Sequence, residues 1–210
     1  MGFEGFPTAA LDFYDDLEVD NTRSFWEAHK TVYQEAVLAP MKELTAALEA
    51  EFGKAKIFRP YRDVRFAKDK TPYKTHQGAF VAAASRTGFY VEVSPRGVRT
   101  GGGCYSFEPE RLAAFRAAIV HDTYGAELER LLAEVERDGY DIGGERLKTA
   151  PRGFDKDHPR IDLLRYKTLS VGHSLGFEPV IHTADLLDLV RDDWRAARPV
   201  VDWISRNANA

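Results

Sequence analysis

Residues 78–101 read GAFVAAASRTGFYVEVSPRGVRTG, and this stretch decides the fold. Within it, residues 88–94 alternate: Phe89, Val91 and Val93 point one way, Tyr90 and Glu92 the other. A period of two is the mark of a strand with one buried face. Residues 78–84 are apolar on both faces, which predicts a central, covered strand. Pro95-Arg96-Gly97 is a turn signal that joins 88–94 to 98–101 as a hairpin.

Helical patterns flank these strands. Upstream, Leu11, Phe13, Tyr14 and Leu17 form a short amphipathic segment, and Asn21 is placed to cap a longer helix carrying Trp26, His29 and Tyr33. Pro40 breaks or restarts that pattern, and Met41, Leu44, Ala47 and Leu48 continue it to Phe52-Gly53. Downstream, Pro109 opens a helix with Leu112, Phe115 and Ile119 on one face. Leu128, Leu131, Leu132 and Val135 form the next stripe, closed at Gly139. Residues 141–157 are polar and turn-rich; a short helix through Leu163 and Leu164 follows Pro159, then a strand at 167–172. Thr183 caps a final helix with Leu186, Leu187, Val190 and Trp194, interrupted at Pro199. Helices, then strands, then helices do not alternate as a parallel doubly wound sheet requires. The expectation is α+β: a single domain over 1–210, its largely antiparallel central sheet flanked by N-terminal, middle and C-terminal helices.

The 210 residues suffice for one well-cored domain. No apolar run has the length of a membrane span, and no basic stretch precedes an apolar core at the N-terminus, so no membrane partner is expected. Cys104 is the only cysteine, which excludes an intramolecular disulfide and a thiolate cluster and fits a reducing cytoplasm. A net charge of −4 argues against a coat for nucleic acid.

The charge is not evenly spread. Residues 59–76, RPYRDVRFAKDKTPYKTH, set Arg59, Arg62, Arg65, Lys68, Lys70 and Lys74 against Asp63 and Asp69. Read as a strand over 61–67, the segment puts Tyr61, Asp63 and Arg65 on one face and Arg62, Val64 and Phe66 on the other. Val64 and Phe66 then anchor it in the core, and Arg59 and Arg65 flank Asp63. In one reading a carboxylate orients an arginine fork that grips a phosphate or carboxylate. In the other, charge protects a solvated edge strand. The Thr71-Pro72 turn gathers Lys68, Lys70, Tyr73 and Lys74 where binding groups collect.

Gly101-Gly102-Gly103 sits between strand and helix, where backbone N–H groups can cradle an anion, or where a turn or close backbone approach needs no side chain. A second basic loop, 148–160, holds Lys148, Arg152, Lys156, His158 and Arg160. If 151–158 folds over 59–76, one basic cleft results. The candidate anion-binding set is Arg59, Arg62, Asp63, Arg65, Lys70, Tyr73, Lys74, Gly102, Gly103 and Arg152. The six histidines show no metal-ligand spacing, and no motif names a cofactor or a catalytic residue.

Residues 172–176, GHSLG, match the nucleophile-elbow pattern. Pro179 opposes an immediate helix, and His182 lies too close to Ser174 in sequence, so the stretch is read as a strand end and loop. Three functional readings stand. The first is an anionic small molecule, phosphate- or carboxylate-bearing, held by the basic segment and conceivably transformed there. The second is a non-catalytic module for nucleic acid or an acidic protein, with Tyr61, Phe66 and Tyr73 available for stacking. The third is a serine hydrolase built on Ser174.

Asp20-Asn21-x-x-x-Phe25-Trp26, RDVRFAKDKTPYK at 62–74, the glycines before Tyr105 and PRGFDKDHP at 151–159 resemble, together, the family filed as domain of unknown function 2461. Its members often carry Asn-Asn where this chain has Asp20-Asn21, and Ser where it has Ala67; neither change removes a charged group. The resemblance covers nearly the whole chain. It implies an intracellular domain of this length whose signature is the basic block, and it transfers no reaction.

Overall fold

A computed structural model describes residues 2–65 and 68–208. Its strands are β1 (Ala55–Ile57), β2 (Gln77–Ala84), β3 (Thr87–Ser94), β4 (Gly97–Cys104), β5 (Asp141–Gly143) and β6 (Leu169–Gly176). They form one antiparallel sheet in the order β1-β2-β3-β4-β6-β5. With helices before, between and after the strands, the fold is α+β, as the element order predicts. Phe89, Val91 and Val93 are buried while Tyr90 and Glu92 are half-buried, so the alternation that opened the reading holds. β2 is interior to the sheet, between β1 and β3 with Ala55 opposite Val81, and is covered over 77–81 except at half-buried Phe80, while Ala82 and Ala83 are exposed.

The chain divides into two compact units. The first comprises Met1–Val81, Tyr90–Thr100 and Ser174–Asp192; the second comprises Ala82–Phe89, Gly101–His173 and Asp193–Ala210.

In the first unit, α1 (Thr8–Val19) and α2 (Arg23–Val32) lead through a π-helical turn (Tyr33–Leu38) into α3 (Ala39–Phe52). Leu11, Phe13, Leu17, Trp26, Val37, Met41, Leu44 and Leu48 are buried there. Thr22 rather than Asn21 caps α2, its hydroxyl accepting the Phe25 N–H at 3.3 Å. Pro40 does not break the helix. Its ring would clash with the carbonyl four residues back, and the wider π turn immediately upstream makes the room. Residues 61–65 are a loop, not a strand; within it only Tyr61 makes a bridge, antiparallel to Tyr73. Val64 is half-buried rather than part of the core, and Phe66 lies outside the described residues.

In the second unit, α4 (Pro109–Val120) and α5 (Asp122–Arg137) bury Phe115, Ile119, Leu128, Leu132 and Val135 with Val171, Val200, Trp203 and Ile204. A short α6 (Ile161–Leu164) precedes β6. α7 (Leu186–Asn207) continues past Pro199. Burial of Ala197, Val200, Trp203 and Ile204 on either side of it outweighs the ~3 kcal/mol that an internal proline costs. The glycine run lies inside β4, not between strand and helix. A Cβ at Gly101 would stand 2.3 Å from the Val171 carbonyl oxygen, and one at Gly103 2.2 Å from that of Leu169. These glycines allow a close backbone approach. Buried Arg111 ties the unit together by donating from Nε to the Ala208 carbonyl at 2.8 Å and from Nη1 to the Ser85 carbonyl.

Because backbone rather than a flexible side chain meets the added carbon, Gly101→Ala is expected to destabilise the protein by about 3 kcal/mol. The midpoint of urea unfolding measures this; an unchanged midpoint would refute the close approach.

Candidate functional site

The basic segment is built outward from its neck. The Asn21 side-chain amide donates to the Tyr73 carbonyl at 3.1 Å, and its oxygen accepts the Tyr73 N–H at 3.0 Å. An amide can serve both roles at once, so Asn21 pairs with Tyr73 as another strand would. The Tyr73 ring lies parallel on Trp26, centroids 4.4 Å apart and planes 8° from parallel. The Arg62 N–H to the Pro72 carbonyl and the Lys74 N–H to the Pro60 carbonyl, both 2.8 Å, close the ring of contacts. Tyr33 donates to Gln77 at 2.6 Å, and Gln77 donates to the carbonyls of Phe58 and Gly78. This satisfied polar contact fixes the base of the segment. Burial, with the nearby Tyr61 hydroxyl, pushes the Tyr33 hydroxyl up to about 12.

Beyond the neck the charges are paired within the loop. Asp69 accepts the N–H and hydroxyl of Thr71, each at 2.9 Å, and takes Arg62 as an ion pair. Those contacts, the Thr71 N–H foremost, hold its carboxyl below the usual range. Asp63 receives Arg65 in two-pronged fashion, Nε to Oδ1 at 2.9 Å and Nη2 to Oδ2 at 2.6 Å. Arg65 lowers the Asp63 pKa, with a smaller contribution from the charge of Arg59. Arg65 thus pairs with Asp63 within a loop, not across the face of a strand. Lys70 donates to the Val64 carbonyl at 2.9 Å. Arg62, Arg65 and Lys70 therefore brace the loop.

Two cations remain. Arg59 is exposed, Lys74 is half-buried, and neither makes an ion pair among the described residues. The Lys74 ammonium stands 5.3 Å from the centre of the Phe58 ring, and the Lys56 ammonium 6.0 Å from it. Burial first, then the like charge of Arg59, lowers the Lys74 pKa. Phe58 in turn faces Tyr90 at 6.4 Å, and Tyr90 donates to Glu92 at 2.5 Å. Burial, then the Glu92 charge, raises the Tyr90 pKa far above its ordinary value.

Tyr73 is only 4% exposed, its ring committed to Trp26, and so is not a surface stacking group. Gly102 and Gly103, buried in β4, and Arg152, exposed on its loop, belong to the second unit. Ser174 lies within β6, not on a strand-to-helix turn, and the ring of His182 is committed to the Phe6 carbonyl at 2.7 Å. Among the described residues no cluster of three metal-ligating side chains occurs. Sequence reading missed Asn21 as the clamp; its signal was the Asp20-Asn21-x-x-x-Phe25-Trp26 motif, which shares the Trp26 partner. It also passed over Phe58 and read Tyr90 and Glu92 as ordinary strand residues.

A family model described as "Conserved hypothetical protein (DUF2461)" matches residues 9–203. No curated protein matches the chain.

Asn21→Ala removes both clamp bonds and is expected to cost about 2 kcal/mol. It should also make the 59–76 loop the first site of limited proteolysis; an unchanged cleavage pattern would contradict the clamp. In a carboxylate NMR titration Asp69 should titrate below the ordinary value of roughly 4, and Thr71→Val should return it upward. The loop contacts these depressed carboxylates make are present above that ordinary value and are lost as pH falls through the native pKa.

Proposed function

We propose that this chain, which belongs to the DUF2461 family of conserved hypothetical proteins, binds an anionic small molecule, phosphate- or carboxylate-bearing, between Arg59 and Lys74. One observation carries the reading: the Lys74 N–H bond to the Pro60 carbonyl brings Lys74 close to Arg59, neither cation makes an ion pair among the described residues, and Arg62, Arg65 and Lys70 are spent on the loop itself. Bringing cations together raises the energy of the free protein, and a bound anion relieves it. The braced loop fixes the site before the ligand arrives, which lowers the ordering cost of binding. Arg59 supplies a planar fork suited to phosphate or carboxylate, and Lys74 a point charge beside the Phe58 ring. No helix among the described residues is long and apolar enough to cross a membrane. The buried free thiol of Cys104 suits a cytoplasmic setting.

A second reading places single-stranded nucleic acid on the same cations. It draws on Tyr61, 47% exposed at the loop neck, as the stacking surface. The small-molecule reading is preferred because Tyr73 is already stacked on Trp26.

Calorimetric titration with inorganic phosphate tests the proposal. Arg59→Ala and Lys74→Ala should each weaken binding about tenfold, the loss of one charge-assisted contact. Lys42→Ala, which removes an exposed charge on α3, should leave binding unchanged. Affinity should fall as pH rises through the depressed Lys74 pKa, since only the ammonium form attracts the anion. Equal binding by all four proteins would refute the site.

A further inference from the structure

Positive charge gathers around Phe58. This residue follows β1, where Lys56 lies opposite Phe80, and its backbone N–H reaches the Gly78 carbonyl at 3.0 Å. Side chains two apart on an extended chain share a face, so Lys56 and Phe58 lie on one side. The Lys56 ammonium stands 6.0 Å and the Lys74 ammonium 5.3 Å from the centre of that one ring. Their separation therefore cannot exceed the sum of the two distances. The backbone beneath is fixed: Gln77 donates to the Phe58 carbonyl at 2.7 Å, and the Lys74 N–H to that of Pro60 at 2.8 Å. Lys56 and Arg59 are exposed and Lys74 is half-buried, and none of the three makes an ion pair among the described residues. The Glu92 carboxylate, one ring further along, accepts from Tyr90 at 2.5 Å. The Phe58 ring attracts each ammonium but carries no charge, so it compensates none of the three cations.

We infer that Lys56 is a third binding group of the Arg59–Lys74 site, and that its ligand class is an anion carrying two linked phosphates. This rests on the anion-binding reading above. The number and spread of the cations select the class. A charged nitrogen and an anionic oxygen meet at about 2.7–2.9 Å, so each cation needs an oxygen brought close to it. A lone carboxylate carries one negative charge against three cations. Lys56 and Lys74 stand beside one ring but come from two different segments. An anion that meets both is extended and charged at each end, and a diphosphate is both. The residue types fit these parts. Each lysine offers a point charge with three donors on a flexible stem, and Arg59 offers the planar fork. The apolar ring beside both ammoniums displaces water there, which strengthens their pull on the ligand.

The test titrates the full chain with inorganic phosphate, pyrophosphate and ADP by calorimetry. Wild type should bind at least one of the two diphosphates about tenfold more tightly than phosphate, the worth of one further charge-assisted contact. Lys56→Gln keeps most of the stem and loses the charge, and should erase most of that preference. Lys56→Arg keeps the charge and should keep the preference. Lys42→Ala, exposed on α3, should leave it unchanged. ADP bound as tightly as pyrophosphate, with the same loss in Lys56→Gln, assigns a diphosphate carried on a larger molecule; pyrophosphate alone assigns the free ion. If neither diphosphate outbinds phosphate, or Lys56→Gln weakens all three ligands alike, the diphosphate assignment falls while anion binding stands. If none of the three binds wild type, both fall.

Discussion

Asn21 holds Tyr73 by both of its backbone groups, and Trp26 holds it by its ring. A single side-chain amide here replaces a neighbouring strand. Without it, a loop of alternating charges would have only the one Tyr61–Tyr73 bridge to define its ends. With it, the neck is fixed on α2, and the Lys74 that follows Tyr73 stands beside Phe58 with Arg59 close by.

The loop shows why counting basic residues overstates a binding site. Arg62 and Arg65 look like an anion-gripping fork, but each is taken by an aspartate a few residues away. Such exposed pairs add little to stability; what they add is shape. Asp69, bonded to Thr71 as well as to Arg62, keeps the turn closed. Arg59, Lys68 and Lys74 brace nothing among the described residues, and the proposed anion site draws on Arg59 and Lys74.

The fold was legible where burial has a period. Phe89, Val91 and Val93 announced β3, and Leu128, Leu131, Leu132 and Val135 announced α5, because one face of each meets a core. Pro199 misled, since it sits inside α7 where burial overrides a lost hydrogen bond, whereas Pro40 marks the restart of the helix as α3. The glycine run misled because a strand that needs no side chains looks like a turn. At the site, composition marked the segment but not its division of labour. Which cation pairs with which aspartate depends on a loop geometry that has no period, and Phe58, Tyr90 and Glu92 reach Lys74 only through tertiary folding.

The central claim is that Arg59 and Lys74 are held together for an absent negative charge. The Lys74 ammonium reports on it directly, through NMR titration of its side chain in free protein and at saturating inorganic phosphate. A pKa below that of an ordinary lysine in the free protein, rising when phosphate binds, is the predicted result. An ordinary pKa that phosphate does not move would contradict the account.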